Sequence, residues 1–132
     1  MRRMGFVLFL LLLDGHMAHA NDFRSACRPV DPHQAIQLIN HEGAIIIDVR
    51  EAHEFMASHM PEAENIPLTE LDSRMSELEP LKEKNLLLVC ASGVRTEQAS
   101  SRLEKQGFAH VRCLEGGVNS WQRAGLPLRS QK

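Results

Sequence analysis

The residues best equipped for chemistry lie in one short run, Cys90-Ala91-Ser92-Gly93-Val94-Arg95-Thr96, directly after the unbroken apolar stretch Leu86-Leu87-Leu88-Val89. A continuous apolar run of this length reads as a fully buried strand, which puts a lone cysteine at the strand's carboxyl end. A loop with one glycine follows, then an arginine, then a helix-forming segment from Thr96 to Gln106. A thiol so placed sits beside backbone amides and a helix amino terminus, and both stabilise negative charge on sulfur. The chemistry this favours is nucleophilic attack by Cys90 through a covalent intermediate.

The elements that must hold this loop alternate between strand and helix. Asp31-Pro32-His33-Gln34 opens a helix, with Asp31 as N-cap, Pro32 in the first turn and Gln34 completing a capping box. Ala35, Leu38 and Ile39 form its apolar face and Gly43 ends it. Ala44 to Val49, apolar apart from Asp48, is a second such run, the pattern of a buried parallel strand. Glu51 to Ser58 reads as a short helix and Asn65-Ile66 as a short strand before Pro67. Leu71, Met75 and Leu78 recur at helical spacing, with Thr69 as the expected cap and Pro80 beyond the end. The strand at 86–90 is followed by a helix that turns Ala99 and Leu103 inward and stops at Gly107. Val111 to Leu114 is a last strand, Gly116-Gly117 a tight turn, and Val118 to Arg123 a final helix carrying Trp121. Such alternation predicts an α/β fold, a largely parallel sheet covered on both faces. Ligands in such folds bind beyond the carboxyl ends of the strands, where Cys90 stands.

The amino terminus has a different character. Arg2 and Arg3 precede the apolar run Gly5 to Leu13, and Ala18-His19-Ala20 supplies small residues at the two positions a signal peptidase reads. The run is well short of the roughly twenty residues a membrane span needs. Residues 1–20 are therefore expected to be a cleaved signal peptide, with no stable membrane span after cleavage and a mature domain of residues 21–132 in a bacterial periplasm. A lipid-anchored alternative at Cys27 is weakened by Arg24 where an aliphatic residue is wanted. Without Arg2, Arg3 and Asp14 the chain has 13 basic and 16 acidic residues, a formal charge of −3. The basic residues are scattered, so neither nucleic acid nor an anionic surface is an expected partner. Two of the seven histidines fall within the first twenty residues, and the rest show no Cys/His ligand spacing, so no metal is expected.

Four separated motifs carry a family resemblance. Asp48-Val49-Arg50 with Glu54-Phe55 resembles a D-V-R-x-x-x-E-F segment, and His59-Met60-Pro61-Glu62-Ala63-Glu64-Asn65-Ile66-Pro67 resembles G-H-I-x-G-A-x-N-I-P. Cys90 to Thr96 matches the loop C-x-x-G-x-R-[S/T], and Gly116-Gly117 with Trp121 matches G-G-x-x-x-W. In this order they resemble a single-domain rhodanese, a sulfurtransferase of the exported type. Ser58 and Glu62 depart from the pattern at positions where glycine is usual. The resemblance implies a three-layer fold with a small, mostly parallel five-stranded sheet.

It also implies a thiosulfate:cyanide sulfurtransferase-like enzyme that needs no cofactor. Cys90 would take a sulfane sulfur from a small anionic donor such as thiosulfate, hold it as a persulfide, and pass it to cyanide or a thiol. The backbone of Ala91, Ser92, Gly93, Val94, Arg95 and Thr96 would cradle the anionic sulfur, and Arg95 would either hold the donor or brace the loop. The alternative within the same fold is a persulfide carrier or sensor serving a protein sulfur acceptor. Related phosphatases place five residues between cysteine and arginine. The four between Cys90 and Arg95 make a smaller cradle, suited to sulfur.

The remaining motif residues carry structural expectations: an Arg50–Glu54 ion pair at helical spacing, Asp48 as a brace, His59 as a structural loop residue and Trp121 as core. An odd cysteine count in an exported chain suggests one pair and one free thiol. The resemblance makes the strand after Cys27 a neighbour of the strand bearing Cys113. That leaves two arrangements open: a Cys27–Cys113 disulfide with Cys90 free, or both cysteines unpaired.

Overall fold

The computed structural model describes residues 27–131. The expected signal peptide, and with it the amino-terminal boundary of the domain, lies outside the described residues.

Five strands form one sheet in the order β1-β5-β4-β2-β3, with every neighbouring pair parallel. They are β1 (Arg28–Val30), β2 (Ile45–Asp48), β3 (Glu64–Asn65), β4 (Leu86–Val89) and β5 (Val111–Leu114). The helices are α1 (Pro32–Glu42), α2 (Ala52–Ala57), α3 (Met75–Leu78), α4 (Val94–Lys105) and α5 (Gly117–Arg123). The expected α/β fold, with helices on both faces of a five-stranded sheet, is present.

The continuous apolar runs make sense once each strand is seen from both sides. A parallel strand buried on both faces turns alternate side chains into two separate cores. Leu86, Leu88 and Cys90 join Ile47, Leu71, Leu78, Ala99, Leu103 and Phe108 in one. Leu87 and Val89 join Ile46, Leu114, Ala35, Leu38, Val118 and Trp121 in the other. Helix α1 begins with the expected capping box: the Gln34 amide donates to Asp31 Oδ1 and the Asp31 amide donates to Gln34 Oε1, both at 2.8 Å. Helix α1 ends at Gly43, which takes φ +64 and donates its N–H to the Leu38 carbonyl.

One expected helix is broken. Leu71, Met75 and Leu78 do not lie on a single element capped by Thr69. Thr69 lies inside a 3-10 turn, Leu68–Glu70, and only Met75–Leu78 is α-helical, followed by a second 3-10 turn, Glu79–Leu81. Pro80 lacks the N–H that would continue the helix, and Asp72-Ser73 favours local turns over a helix interior. Burial of Leu71 and Leu78 against the sheet satisfies the same apolar spacing without a continuous helix. The other helices sit within a residue or two of expectation.

Candidate functional site

Cys90 follows the last residue of β4 directly and is 1% exposed. Gly93 turns the chain with φ +108, a conformation that favours glycine, and caps α4. That turn aims the Gly93 N–H at Cys90 Sγ, 3.0 Å away. Thr96 is fully buried and its hydroxyl donates to the Gly93 carbonyl at 2.9 Å, so the peptide carrying that amide is held from behind. The loop thus forms a partial cradle around sulfur at a helix amino terminus, where first-turn amides lack intrahelical partners.

The floor of the loop is held from α5. The α5 amides of Val118 and Asn119 donate to the Cys90 and Ala91 carbonyls at 2.8 and 3.1 Å. Such close approach requires Gly117: a Cβ there would collide with the Cys90 and Ala91 carbonyl oxygens. The motif Gly116-Gly117, read from sequence as a tight turn, is in effect part of the support of the Cys90 loop.

The loop side chains divide by role. Ala91 is half-buried, and Ser92 is exposed. Val94 is 69% exposed, although it is apolar and begins α4. Arg95 forms a bidentate pair with Glu54, with Nη1–Oε1 at 2.8 Å and Nη2–Oε2 at 3.1 Å. The Arg95 guanidinium, helped by the Glu51 amide, holds the Glu54 carboxyl down at about 2, against a smaller opposing effect of burial. The same pair raises Arg95. Of the two roles left open for Arg95, the geometry shows the brace, tying α4 to α2.

That pairing corrects an expectation. Arg50 does not pair with Glu54; its guanidinium is turned inward onto Asp48, Nη2–Oδ2 2.7 Å, and onto the Ser58 carbonyl at 2.7 Å. Both partners are buried, and Asp48 also accepts the Arg50 amide at 3.0 Å. The i,i+4 spacing failed because Arg50 precedes α2 rather than lying on it, and Asp48 at the end of β2 offers a complete fork of acceptors. Asn65 Nδ2 adds bonds to the Asp48 and Arg50 carbonyls at 3.0 and 2.9 Å, so this knot ties β2 to β3. Asp48→Asn is expected to leave a buried guanidinium short of its counter-charge. The expected loss is about 3 kcal/mol, read as a lower denaturation midpoint at unchanged slope.

Glu54→Gln tests the other pair. The depressed Glu54 carboxyl contributes stability that is complete above its ordinary value of 4.5 and is lost as pH falls through about 2. Both side chains are nearly a third exposed, so the contribution is about 1 kcal/mol after screening. The Gln variant is expected to be less stable at pH 7, and its deficit to shrink progressively as pH falls from 5 towards 2. A deficit independent of pH would show that the charge pair contributes nothing.

Cys27 and Cys113 form a disulfide with Cα atoms 5.9 Å apart, and Cys90 is the free cysteine. The bridge joins the approach to β1 with β5, neighbours in the sheet. His59 is buried, stacks on Phe55 and places Nδ1 2.8 Å from the Phe55 carbonyl oxygen. Trp121 is core, and its indole N–H donates to the Pro127 carbonyl at 2.8 Å. Sequence reasoning missed Glu54 as the partner of Arg95 and Gly117 as the loop's floor. Both lay inside the quoted motifs, but motif position does not state a partner.

Comparison with known proteins agrees with this architecture. A family model described as rhodanese-like domain matches residues 31–124. The thiosulfate sulfurtransferase GlpE of Actinobacillus pleuropneumoniae serotype 7 is 32% identical over 76% of this chain and 92% of its own length. A sulfurtransferase of Allochromatium vinosum is 34% identical over 70% of this chain and 84% of its own. The crystal structure of a rhodanese-related protein from Thermoplasma volcanium is 27% identical, with a TM-score of 0.66, covering 77% of this chain and 97% of that one. A parallel sheet with a cysteine in a C-x-x-G-x-R loop at its carboxyl edge and a family match over this length identify the chain as a member of the rhodanese-like domain family.

Proposed function

We propose that this protein is a sulfurtransferase that moves a sulfane sulfur from thiosulfate, or a similar small anionic donor, to cyanide or a thiol through a Cys90 persulfide. The observation that carries the reading is the Gly93 amide aimed at Cys90 Sγ from a helix amino terminus. The Cys90 thiolate attacks the outer sulfur of thiosulfate. The donor's sulfur–sulfur bond breaks, sulfite leaves with the electron pair, and the persulfide anion remains on Cys90. Cyanide then attacks the outer persulfide sulfur, thiocyanate departs and the thiolate is restored. No proton moves, so a site made of amide donors, without a general acid, suits every step. A cysteine only 1% exposed also favours a donor that presents a single unhindered atom.

A carrier that hands its persulfide to a protein acceptor is the second reading. It is favoured by Val94, an apolar side chain left exposed beside the loop. Mass spectrometry of Cys90 after thiosulfate tests both: one added sulfur, removed by cyanide, is expected. Fast steady-state turnover supports the enzyme, and loading without turnover supports the carrier. No added sulfur overturns both.

We also propose that residues 1–20 direct export to the periplasm and are removed there, leaving residues 21–132 as the working domain. The reading rests on the amino-terminal pattern, and a disulfide suits an oxidising compartment. Amino-terminal sequencing of protein recovered from a periplasmic fraction is expected to begin at Asn21.

A further inference from the structure

The Cys27–Cys113 bridge does not stand apart from the reactive loop. Cys113 Sγ lies 3.6 Å from the carbonyl oxygen of Thr96, in the first turn of α4. The Thr96 hydroxyl holds the Gly93 carbonyl, and the Gly93 N–H holds Cys90 Sγ. The first of these contacts is packing, because a bridged sulfur carries no hydrogen to donate; with the two hydrogen bonds it connects the bridge to the reacting sulfur. A cleft of about 510 Å³ opens on the same place, and its lining includes Cys27, Pro29 and Cys113 together with Ser92, Gly93 and Thr96. Both bridge residues are largely buried within the fold, yet they line a space wide enough for a small thiol.

We propose that the bridge is a thiol-responsive positioning element for the reactive loop. Closed, it holds Gly93 in register with Cys90 through Thr96; opened by a small thiol entering the cleft, it releases that register and slows reaction at Cys90. The exchange is balanced. A thiolate attacks one bridge sulfur, forming a mixed disulfide and expelling the other as thiolate. A second thiolate displaces the mixed disulfide, so two thiols are oxidised to one disulfide and the bridge gains two electrons. Neither Cys27 nor Cys113 touches the reacting sulfur in this scheme; they act through Thr96. The proposal rests on the reading of Cys90 as the reactive thiol, and it extends the proposed function to regulation of that site by the class of molecule that also accepts its sulfur.

The test uses 2-mercaptoethanol or dithiothreitol on the folded chain, followed by removal of the thiol under anaerobic conditions. Iodoacetamide labelling of Cys90, located by peptide mass, is then timed against the unreduced protein. Loss of one hydrogen bond that favours the thiolate lowers the reactive fraction of Cys90, and about tenfold slower labelling is expected. The double variant Cys27→Ala/Cys113→Ala, in which Cys90 alone remains to be labelled, is expected to show the same slowing without any thiol treatment. Labelling requires no sulfur transfer, so it reads the proposal even if thiosulfate loads nothing, a result that would instead remove the proposed function. Equal labelling rates in closed and open forms would overturn the proposal, as would three labelled cysteines in unreduced protein. Reduction only after denaturant exposes the chain would overturn access through the cleft. If the double variant fails to fold, the thiol-reduced wild type carries the comparison. Loss of its fold as well, seen by circular dichroism, would make the bridge a purely structural fastening and refute a positioning role.

Discussion

Cys90→Ser is expected to abolish sulfur transfer from thiosulfate, by about 10⁴-fold or more, while the protein remains folded. The loss follows from the chemistry: a serine hydroxyl is a far weaker nucleophile and cannot hold a sulfane sulfur. The molecule contains no substitute among the described residues, because Cys27 and Cys113 are joined to each other. The fold should tolerate the change, since a serine oxygen can accept the same Gly93 N–H and the replaced group is small. The stability cost is expected to be about 1 kcal/mol. Thiosulfate:cyanide turnover, persulfide mass and thermal melting measured on one preparation check all three statements. Retained activity, or sulfur appearing on another residue, would remove Cys90 from the mechanism.

Gly117→Ala is expected to produce the largest combined effect of any substitution that leaves Cys90 in place. A Cβ at this position runs into the Cys90 and Ala91 carbonyl oxygens, backbone atoms with no side-chain freedom to yield. The glycine also takes φ +59, where an L side chain adds strain. Together the overpacking and the strained backbone cost about 2–4 kcal/mol. Relief requires α5 to move away from the loop, which breaks the amide bonds from Val118 and Asn119 to the Cys90 and Ala91 carbonyls. The variant is therefore expected to melt at lower temperature and to load sulfur on Cys90 at least tenfold more slowly even where it is fully folded. Gly125→Ala is the control: its φ is +78, but its Cβ would meet nothing within 4 Å. It bears the conformational cost alone, and sulfur loading should be unchanged. Equal behaviour of the two variants would show that the close approach of α5 has no bearing on the loop.

The parts of this protein legible in its sequence share a physical reason. Continuous apolar runs at 44–47 and 86–90 identify doubly buried strands because burial on both faces removes the usual polar alternation. The capping box at Asp31 and Gln34 is legible because it is a local hydrogen-bond pattern, complete within four residues. Val111–Leu114 was recognisable on the same local grounds. The segment from 68 to 81 was not. Apolar spacing of three and four is shared by a helix and by a chain of short turns, and only contact with the sheet decides between them.

The candidate nucleophile was equally accessible. A cysteine at a strand end, followed by glycine, arginine and a helix, stands out through a short-range pattern. Its partners were another matter. Arg50 and Glu54, at helical spacing, were expected to face each other. The fold sends Arg50 inward to Asp48 and leaves Glu54 to Arg95, 41 residues further along the chain. Local periodicity cannot see a buried carboxylate that offers a better fork, nor a helix arriving from another part of the chain.

The sequence by itself therefore determined the layers, the strand character and the choice of Cys90 as candidate nucleophile, because each is written in neighbouring residues. Tertiary structure alone decided what braces Arg95, why Gly117 must lack a side chain, and how the Cys27–Cys113 bridge reaches Cys90. Those contacts join residues far apart in the chain. They exist only after parallel strands bring β5, β4 and β2 side by side, so no window of sequence contains them.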